Sequence, residues 1–378
     1  MARGEARSGG SAAPRGVDVA RRAGVSQKTV SRVFNGEQYV SAEVRQRVLD
    51  AAEELGYRLN NAARSLASGR TRTIGVVALG TALYGPASLL IGIERAARDA
   101  GYALRVVNTL EGDPGGVAGA VESLLEQGVD GIVVSEPIDE GAEGAASLSI
   151  DVPVLVLGAP AALAGPRAVV AGVGAEPLAR AATQHLLDLG HVTVHHIAGP
   201  QRWFAARDRL AGWRAALAAH GRDQPPVLEG DWSAASGYAA GRELASGGDV
   251  TAVFAANDDM AIGLMRALTE AGLRVPDDVS VVGFDDIPVA PYVTPPLTSV
   301  RQPFDAVARE GLRLLVQAIE KPDVELPPAN DPPVDLIVRA STAAPPRRTA
   351  PGRGRRAPSR SRDGAHAPPI ADASSSLP

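Results

Sequence analysis

The stretch from Gly16 to Leu66 constrains this chain more than any other. Two short helical patterns are joined by only Ala23-Gly24-Val25-Ser26. The first, over 17–23, is apolar at Val17, Ala20 and Ala23, and the second, over 27–34, at Val30 and Val33. Ser26 stands where its hydroxyl can cap the free N–H groups of the second helix. The outer positions of that helix are Gln27, Lys28, Thr29, Ser31 and Arg32, a face with donors and acceptors but no apolar side chain. Two helices on a glycine-containing turn, the second polar outside, form a helix-turn-helix, whose second helix enters a DNA major groove. A third helix is expected over 42–55, capped by Ser41, with Val44, Val48, Ala51 (or Ala52) and Leu55 on one side and Gly56 ending it.

Charge is distributed to match. The chain of 378 residues carries a net charge of −5, yet residues 1–72 hold 13 Lys/Arg against 7 Asp/Glu, and residues 73–340 hold 18 against 34. A basic head on an acidic body assigns nucleic acid to the head alone. Residues 1–15 are an aperiodic Gly/Ser/Ala/Arg arm, and 341–378 an Arg/Pro/Ser-rich tail without heptads; both are expected to be disordered. There is no cysteine, so disulfides and thiolate metal sites do not arise. No run of about 18 apolar residues predicts a membrane span. The first residues lack the apolar core of a secretion signal. A soluble cytoplasmic protein, associated with the nucleoid when on DNA, is expected.

From Thr73 onward the pattern alternates. Strands are expected over 73–79, 104–107, 131–135, 154–157, 192–198, 252–255, 279–282 and 334–339. Helices are expected over 87–100, 114–127, 176–189, 207–220, 233–245, 258–271 and 304–320. Strict β/α alternation implies parallel sheets covered on both faces. Some 270 residues of it suit two Rossmann-like halves, with a restart near residue 170.

The head resembles the lactose-repressor (LacI/GalR-type) family of bacterial transcription regulators. The matching residues are Asp18-Val19-Ala20, Ala23-Gly24-Val25-Ser26, Thr29-Val30-Ser31-Arg32-Val33, Asn35, Val40-Ser41, Leu55-Gly56-Tyr57, Asn60 and Ala63-Arg64-Ser65-Leu66. The resemblance implies that Gln27, Lys28 and Arg32 read base edges, as Arg and Lys suit guanine and Gln suits adenine. It implies phosphate-positioning or capping roles for Ser26, Thr29, Ser31 and Asn35. Residues 60–67 match a hinge helix that folds only on the operator. Asn60 opens it, Ala63 and Arg64 match its minor-groove contacts, and Leu66 the wedge that kinks the central base step. Two positions depart from the family pattern: Arg15-Gly16 replaces a capping threonine, and Leu59 replaces a proline before the hinge.

The resemblance continues to about residue 340. It implies an α/β fold: an N-terminal all-α helix-turn-helix head plus a periplasmic-binding-protein-like body of two Rossmann-like parallel-sheet subdomains. The expected division is 16–58 for the head, 59–71 for hinge and linker, and 72–340 for the effector-binding and dimerisation body. Within the body, 72–170 goes with 302–330, and 171–301 with 331–340. Arg207-Asp208-Arg209-Leu210-Ala211-Gly212-Trp213, Glu229-Gly230-Asp231-Trp232-Ser233, Ala256-Asn257-Asp258 and Gly283-Phe284-Asp285-Asp286 match the family's sugar-binding segments. By that match Arg209, Asn257, Asp285 and Asp139 bond sugar hydroxyls, and Trp232 and Phe304 stack on the ring. Leu83, Pro86 and Leu89 form an apolar rim. Ala205, preceded by Trp203-Phe204, stands where the pocket has a serine, a departure that changes the pocket floor and bears on galactoside specificity.

The implied protein is a homodimeric repressor of a carbohydrate-utilisation operon. It would leave a palindromic, double-stranded DNA operator on binding a small sugar or glycoside, a galactoside-like one favoured. The alternatives are a regulator activated by a purine or sugar-phosphate co-repressor, and a sugar receptor without DNA function. An enzyme reading finds no support. Asp258-Asp259 and Asp285-Asp286 are adjacent, which is not convergence; His195-His196 lies in a strand, which turns the rings to opposite faces. Gly172-Val173-Gly174 lacks the rest of a dinucleotide fingerprint. No cofactor and no metal is expected.

Overall fold

The computed structural model describes residues 14–34, 39–57, 69–109, 115–135, 138–139, 150–158, 168–172, 174–330 and 335–346. Residues 1–345 make one compact unit and 346–378 a second, of which only Pro346 is described.

The head holds α1 (Gly16–Ala23), α2 (Gln27–Phe34) and α3 (Ala42–Glu54). Val19, Ala20, Ala23, Val30, Val33, Val48, Ala51 and Ala52 form its core. Val19 rather than Val17 is buried on α1, because residues 19, 20 and 23 share the side turned to the other two helices. The lost threonine cap of α1 has a substitute: the Arg15 N–H donates to the Asp18 carboxylate at 2.9 Å. Gly24 ends α1 with φ +65°, the left-handed conformation that lets the chain turn at once into α2. Ser41 caps α3 through the Val44 N–H, and Phe34 packs on Tyr57 at 5.6 Å.

The body has two sheets. The first takes β1 (Thr73–Leu79), β2 (Ala103–Thr109), β3 (Gly131–Ser135), β4 (Val154–Leu157) and β5 (Ala168–Ala171), in the order β2-β1-β3-β4-β5, all parallel. One face is covered by α4 (Tyr84–Asp99), the other by α5 (Gly116–Glu126). The second sheet takes β6 (His195–Ala198), β7 (Leu228–Glu229), β8 (Ala252–Ala255), β9 (Ser280–Asp285), β10 (Thr298–Arg301) and β11 (Asp335–Ile337), in the order β11-β10-β9-β8-β6-β7. The pair α6 (Ala175–Asp188) and α7 (Phe204–Ala219) covers one face. The pair α8 (Ala234–Ser246) and α9 (Asp258–Glu270) covers the other. Both layers are apolar because parallel strands buried on both sides leave no solvent face.

The chain passes between the lobes three times. It crosses after β5; it returns after β10 so that α10 (Phe304–Glu320) packs on the first sheet; and it crosses again to place β11 in the second. That last strand corrects the all-parallel expectation: β11 runs antiparallel to β10, since it arrives from the other lobe rather than through a βαβ crossover. The expected tail boundary at 341 also moves. Ser341 is fully buried, accepts from the Thr298 N–H at 2.8 Å and donates to the Val281 carbonyl at 2.6 Å.

Candidate functional site

On the head, the buried Val30 and Val33 fix which side of α2 faces out. Ser26, Gln27, Lys28, Ser31 and Arg32 are exposed, and Thr29 is half-buried. Ser26 is a cap before anything else: its Oγ accepts the Thr29 N–H at 3.1 Å and lies 2.9 Å from the Thr29 hydroxyl. Of the residues expected to read base edges, Gln27, Lys28 and Arg32 are all exposed on α2. Asn35, Asn60, Ala63, Arg64 and Leu66 lie outside the described residues. Arg32→Ala is expected to weaken binding to a specific site by about 1–3 kcal/mol and to relax base preference. Mobility-shift titrations on specific and random DNA read this; equal loss on both rejects Arg32 as a reader.

In the body, parallel strands of both lobes aim their carboxyl ends at one cleft, the place where open α/β sheets bind ligands. A small cavity opens there. Leu83, Tyr84, Gly85 and Pro86 reach this cavity after β1; Trp203, Ala205 and Arg209 after β6; Trp232 after β7; Asn257 after β8; Asp285 at the end of β9; Gln302 and Phe304 after β10.

Arg209 is the centre of this wall. Its guanidinium lies 3.5 Å from Asp285 Oδ1, 4.1 Å from the Phe284 ring centre and 5.2 Å from that of Trp232, and it donates to the Ala256 carbonyl. Gln302 Nε2 donates to the same Asp285 oxygen at 2.6 Å. Burial pushes the Asp285 carboxyl up, with the Arg209 charge and the Gln302 hydrogen bond pulling it back. Asn257 caps α9 through the Met260 N–H at 2.9 Å and donates to the Trp232 carbonyl at 2.9 Å, so it braces the tryptophan loop. Trp232, Asp285 and Asp286 hold φ of +73°, +107° and +50°. Such backbone costs about 1–3 kcal/mol a residue and clusters where function requires it. Arg209 Nε and Trp232 Nε1 are buried donors with no hydrogen-bond partner among the described residues.

Eight expected effector residues line this cavity: Leu83, Pro86, Ala205, Arg209, Trp232, Asn257, Asp285 and Phe304. Two do not. Leu89 is buried in the core between α4, α10 and the first sheet, because it falls on the inner face of α4. Asp139 pairs with Arg207 at 2.9 Å, an ion pair between the lobes. Sequence reasoning missed Tyr84, Gly85 and Gln302 as wall residues, while Trp203, singled out beside Ala205, lines the cavity. The resemblance gave no site residue at the three missed positions.

Behind the cleft, Asp258 is fully buried. Ser299 donates to its Oδ1 at 2.6 Å and the Ile287 N–H to its Oδ2 at 2.8 Å. Burial pushes its carboxyl up to about 8, the Ser299 hydrogen bond opposing and the Asp285 charge adding. A folded value above the unfolded one, which is about 4, means a contribution complete below pH ~4 and lost as pH rises through about 8. Asp258→Asn imitates the neutral acid. The stability of wild type relative to this variant is expected to fall steadily from pH 5 to about 8 in urea melts; a flat difference contradicts a neutral Asp258. His196 is the opposite case: burial lowers it to about 4, stacked on Phe254 at 4.8 Å with its Nδ1 on the Phe254 carbonyl at 2.9 Å.

Among the described residues, no cluster of His, Asp and Glu could hold a metal, and no helix is long and apolar enough to cross a membrane.

Comparison with known proteins agrees with this layout. Residues 17–60 match the bacterial regulatory proteins of the lacI family, and residues 183–342 a periplasmic binding protein-like domain. The chain is 36% identical over 338 residues to the lactose operon repressor of Escherichia coli (strain K12), covering 88% of this chain and 92% of that one. The crystal structure of the Lac repressor dimer bound to operator and the anti-inducer ONPF superposes with a TM-score of 0.73 at 36% identity, over 86% of this chain and 98% of that chain. The complex of the transcriptional regulator CelR with cellobiose gives 0.62 at 34%, over 87% and 99%. These relatives are transcriptional regulators rather than enzymes. The helix-turn-helix head, the two-lobed body and this similarity over most of the length place the chain in the lacI family of bacterial regulatory proteins.

Proposed function

We propose that the chain is a homodimeric repressor that binds a two-fold symmetric operator and leaves it when a small neutral sugar or glycoside, galactose-like in ring, occupies the cleft. One observation carries the ligand class: the cavity wall is charge-balanced within itself. Its single guanidinium, Arg209, faces the carboxylate of Asp285, and no second Lys or Arg is among the described lining residues. A phosphate would meet Asp285 and one already committed arginine, whereas hydroxyls can both accept from Arg209 Nε and donate to Asp285. The Trp203–Trp232 pair favours a second reading, a flat neutral heterocycle such as a purine.

The DNA side follows from the reach of one head. A single α2 touches a few base pairs, too few for discrimination, so two heads on a dimeric body read two half-sites. Ligand closing the two lobes would shift the chain entering each head, and the two hinge segments would lose their joint grip.

The test is a thermal-shift panel of sugars, with hypoxanthine included, followed by titration calorimetry of the best binder with and without operator. Linkage requires that DNA weaken ligand affinity by the same factor by which ligand weakens DNA affinity. Equal affinities in the two titrations reject ligand-controlled release.

A further inference from the structure

The strongest unassigned feature is Trp203. Its indole is 7% exposed and belongs to the second lobe, just before α7, yet it reaches the end of β1 in the first. The tip of the ring lies against Gly80: a Cβ on Gly80, which holds φ +64°, would be 2.6 Å from Cη2. On the other side the ring meets Trp232 edge to face at 6.0 Å and 82°. The backbone is pinned as well. Trp203 forms an isolated antiparallel bridge with Ile138 of the first lobe, and the Asp139 N–H donates to the Arg202 carbonyl at 2.7 Å. The Arg207–Asp139 ion pair closes the same clasp. The indole is thus held between a glycine, a tryptophan and a bridged backbone.

We propose that Trp203 is the specificity-determining wall of the cleft: it joins the lobes and limits the ligand to one ring with a small substituent. This deepens the sugar reading above and rests on it. With the indole in place the cleft is small, and the indole closes it on the Gly80 side. Truncating the indole would therefore make room for a second ring while leaving the Arg209–Asp285 pair in place.

The experiment compares wild type, Trp203→Ser and Trp203→Phe in calorimetric titrations with methyl β-galactoside against lactose, and methyl β-glucoside against cellobiose. Wild type is expected to bind a methyl glycoside at least tenfold tighter than the matching disaccharide, and Trp203→Ser to reduce that ratio at least tenfold, Trp203→Phe less. An unchanged ratio in folded Trp203→Ser, or a wild type that prefers the disaccharide, overturns the size limit while leaving the sugar reading in place. Should Trp203→Ser not fold, an unchanged ratio in Trp203→Phe overturns it equally. If none of the four sugars binds any of the proteins, the sugar reading fails and takes the size limit with it. The lobe contact has its own readout without ligand: amide exchange over residues 79–83 is expected to speed up in a truncated variant, and unaltered exchange there overturns the joining role.

Discussion

Arg209→Ala is expected to abolish ligand response and to destabilise the body by about 3–5 kcal/mol, because a buried partner is removed from a buried pair. In the variant Asp285 keeps only Gln302, and burial already pushes its carboxyl up. The packing of the guanidinium on Phe284 is lost too. The two effects can be separated. Arg209→Met combined with Asp285→Asn leaves no unpaired buried charge, so urea midpoints should recover a large part of the loss. Ligand titrations should not recover, since the donors of Arg209 and the acceptors of Asp285 are both gone. A double variant that still binds the ligand of the wild type shows that the pair is structural only.

The second large effect is expected at Gly263→Ala. Helices α8 and α9 approach so closely that a Cβ on Gly263 would fall inside the Ala234 carbonyl oxygen and one on Gly237 inside that of Met260. No rotamer relieves a backbone clash, so the helices must part. That opens the layer over β8 and β9, where Met260 and Leu264 are wholly buried. A loss at or above the usual ~1–3 kcal/mol for overpacking is expected. Thermal melts would read it, with Gly221→Ala, an exposed left-handed turn with no neighbour within 4 Å, as the contrasting strain-only control. Equal losses in the two variants would mean that backbone conformation, not helix approach, sets the cost.

Much of this was legible in the chain. Ser26, Ser41 and Gly24 announce the ends of the head helices through capping chemistry, and the apolar runs 73–79, 131–135 and 154–157 announce buried parallel strands. What escaped were the strands without periodicity: β5, the two-residue β7, and β10, whose Thr298-Ser299-Val300-Arg301 is a strand only because β9 and β11 flank it. Missing β10 also hid Gln302, which has no reason to face the cleft until a strand end delivers it there. Trp203 was legible only as a change in the pocket floor beside Ala205: its partner Gly80 sits 123 residues earlier, and the contact exists only across the two lobes. Asp139 was expected to bond a sugar hydroxyl, but its carboxylate is paired with Arg207 across the lobes.

The return of β11 to the second sheet has a consequence for how the molecule is made on the ribosome. The head is built from residues 16–57 and can fold as soon as they emerge. The body cannot. Its first sheet waits for α10, and its second waits for β11 and for Ser341, whose hydroxyl links Thr298 to Val281. A nascent chain stopped before residue 335 would carry a competent head above two unfinished lobes, with the edge of β10 open to pairing with other chains. The part that recognises DNA thus exists throughout synthesis, and the part that answers to a ligand comes into being only with the final strand.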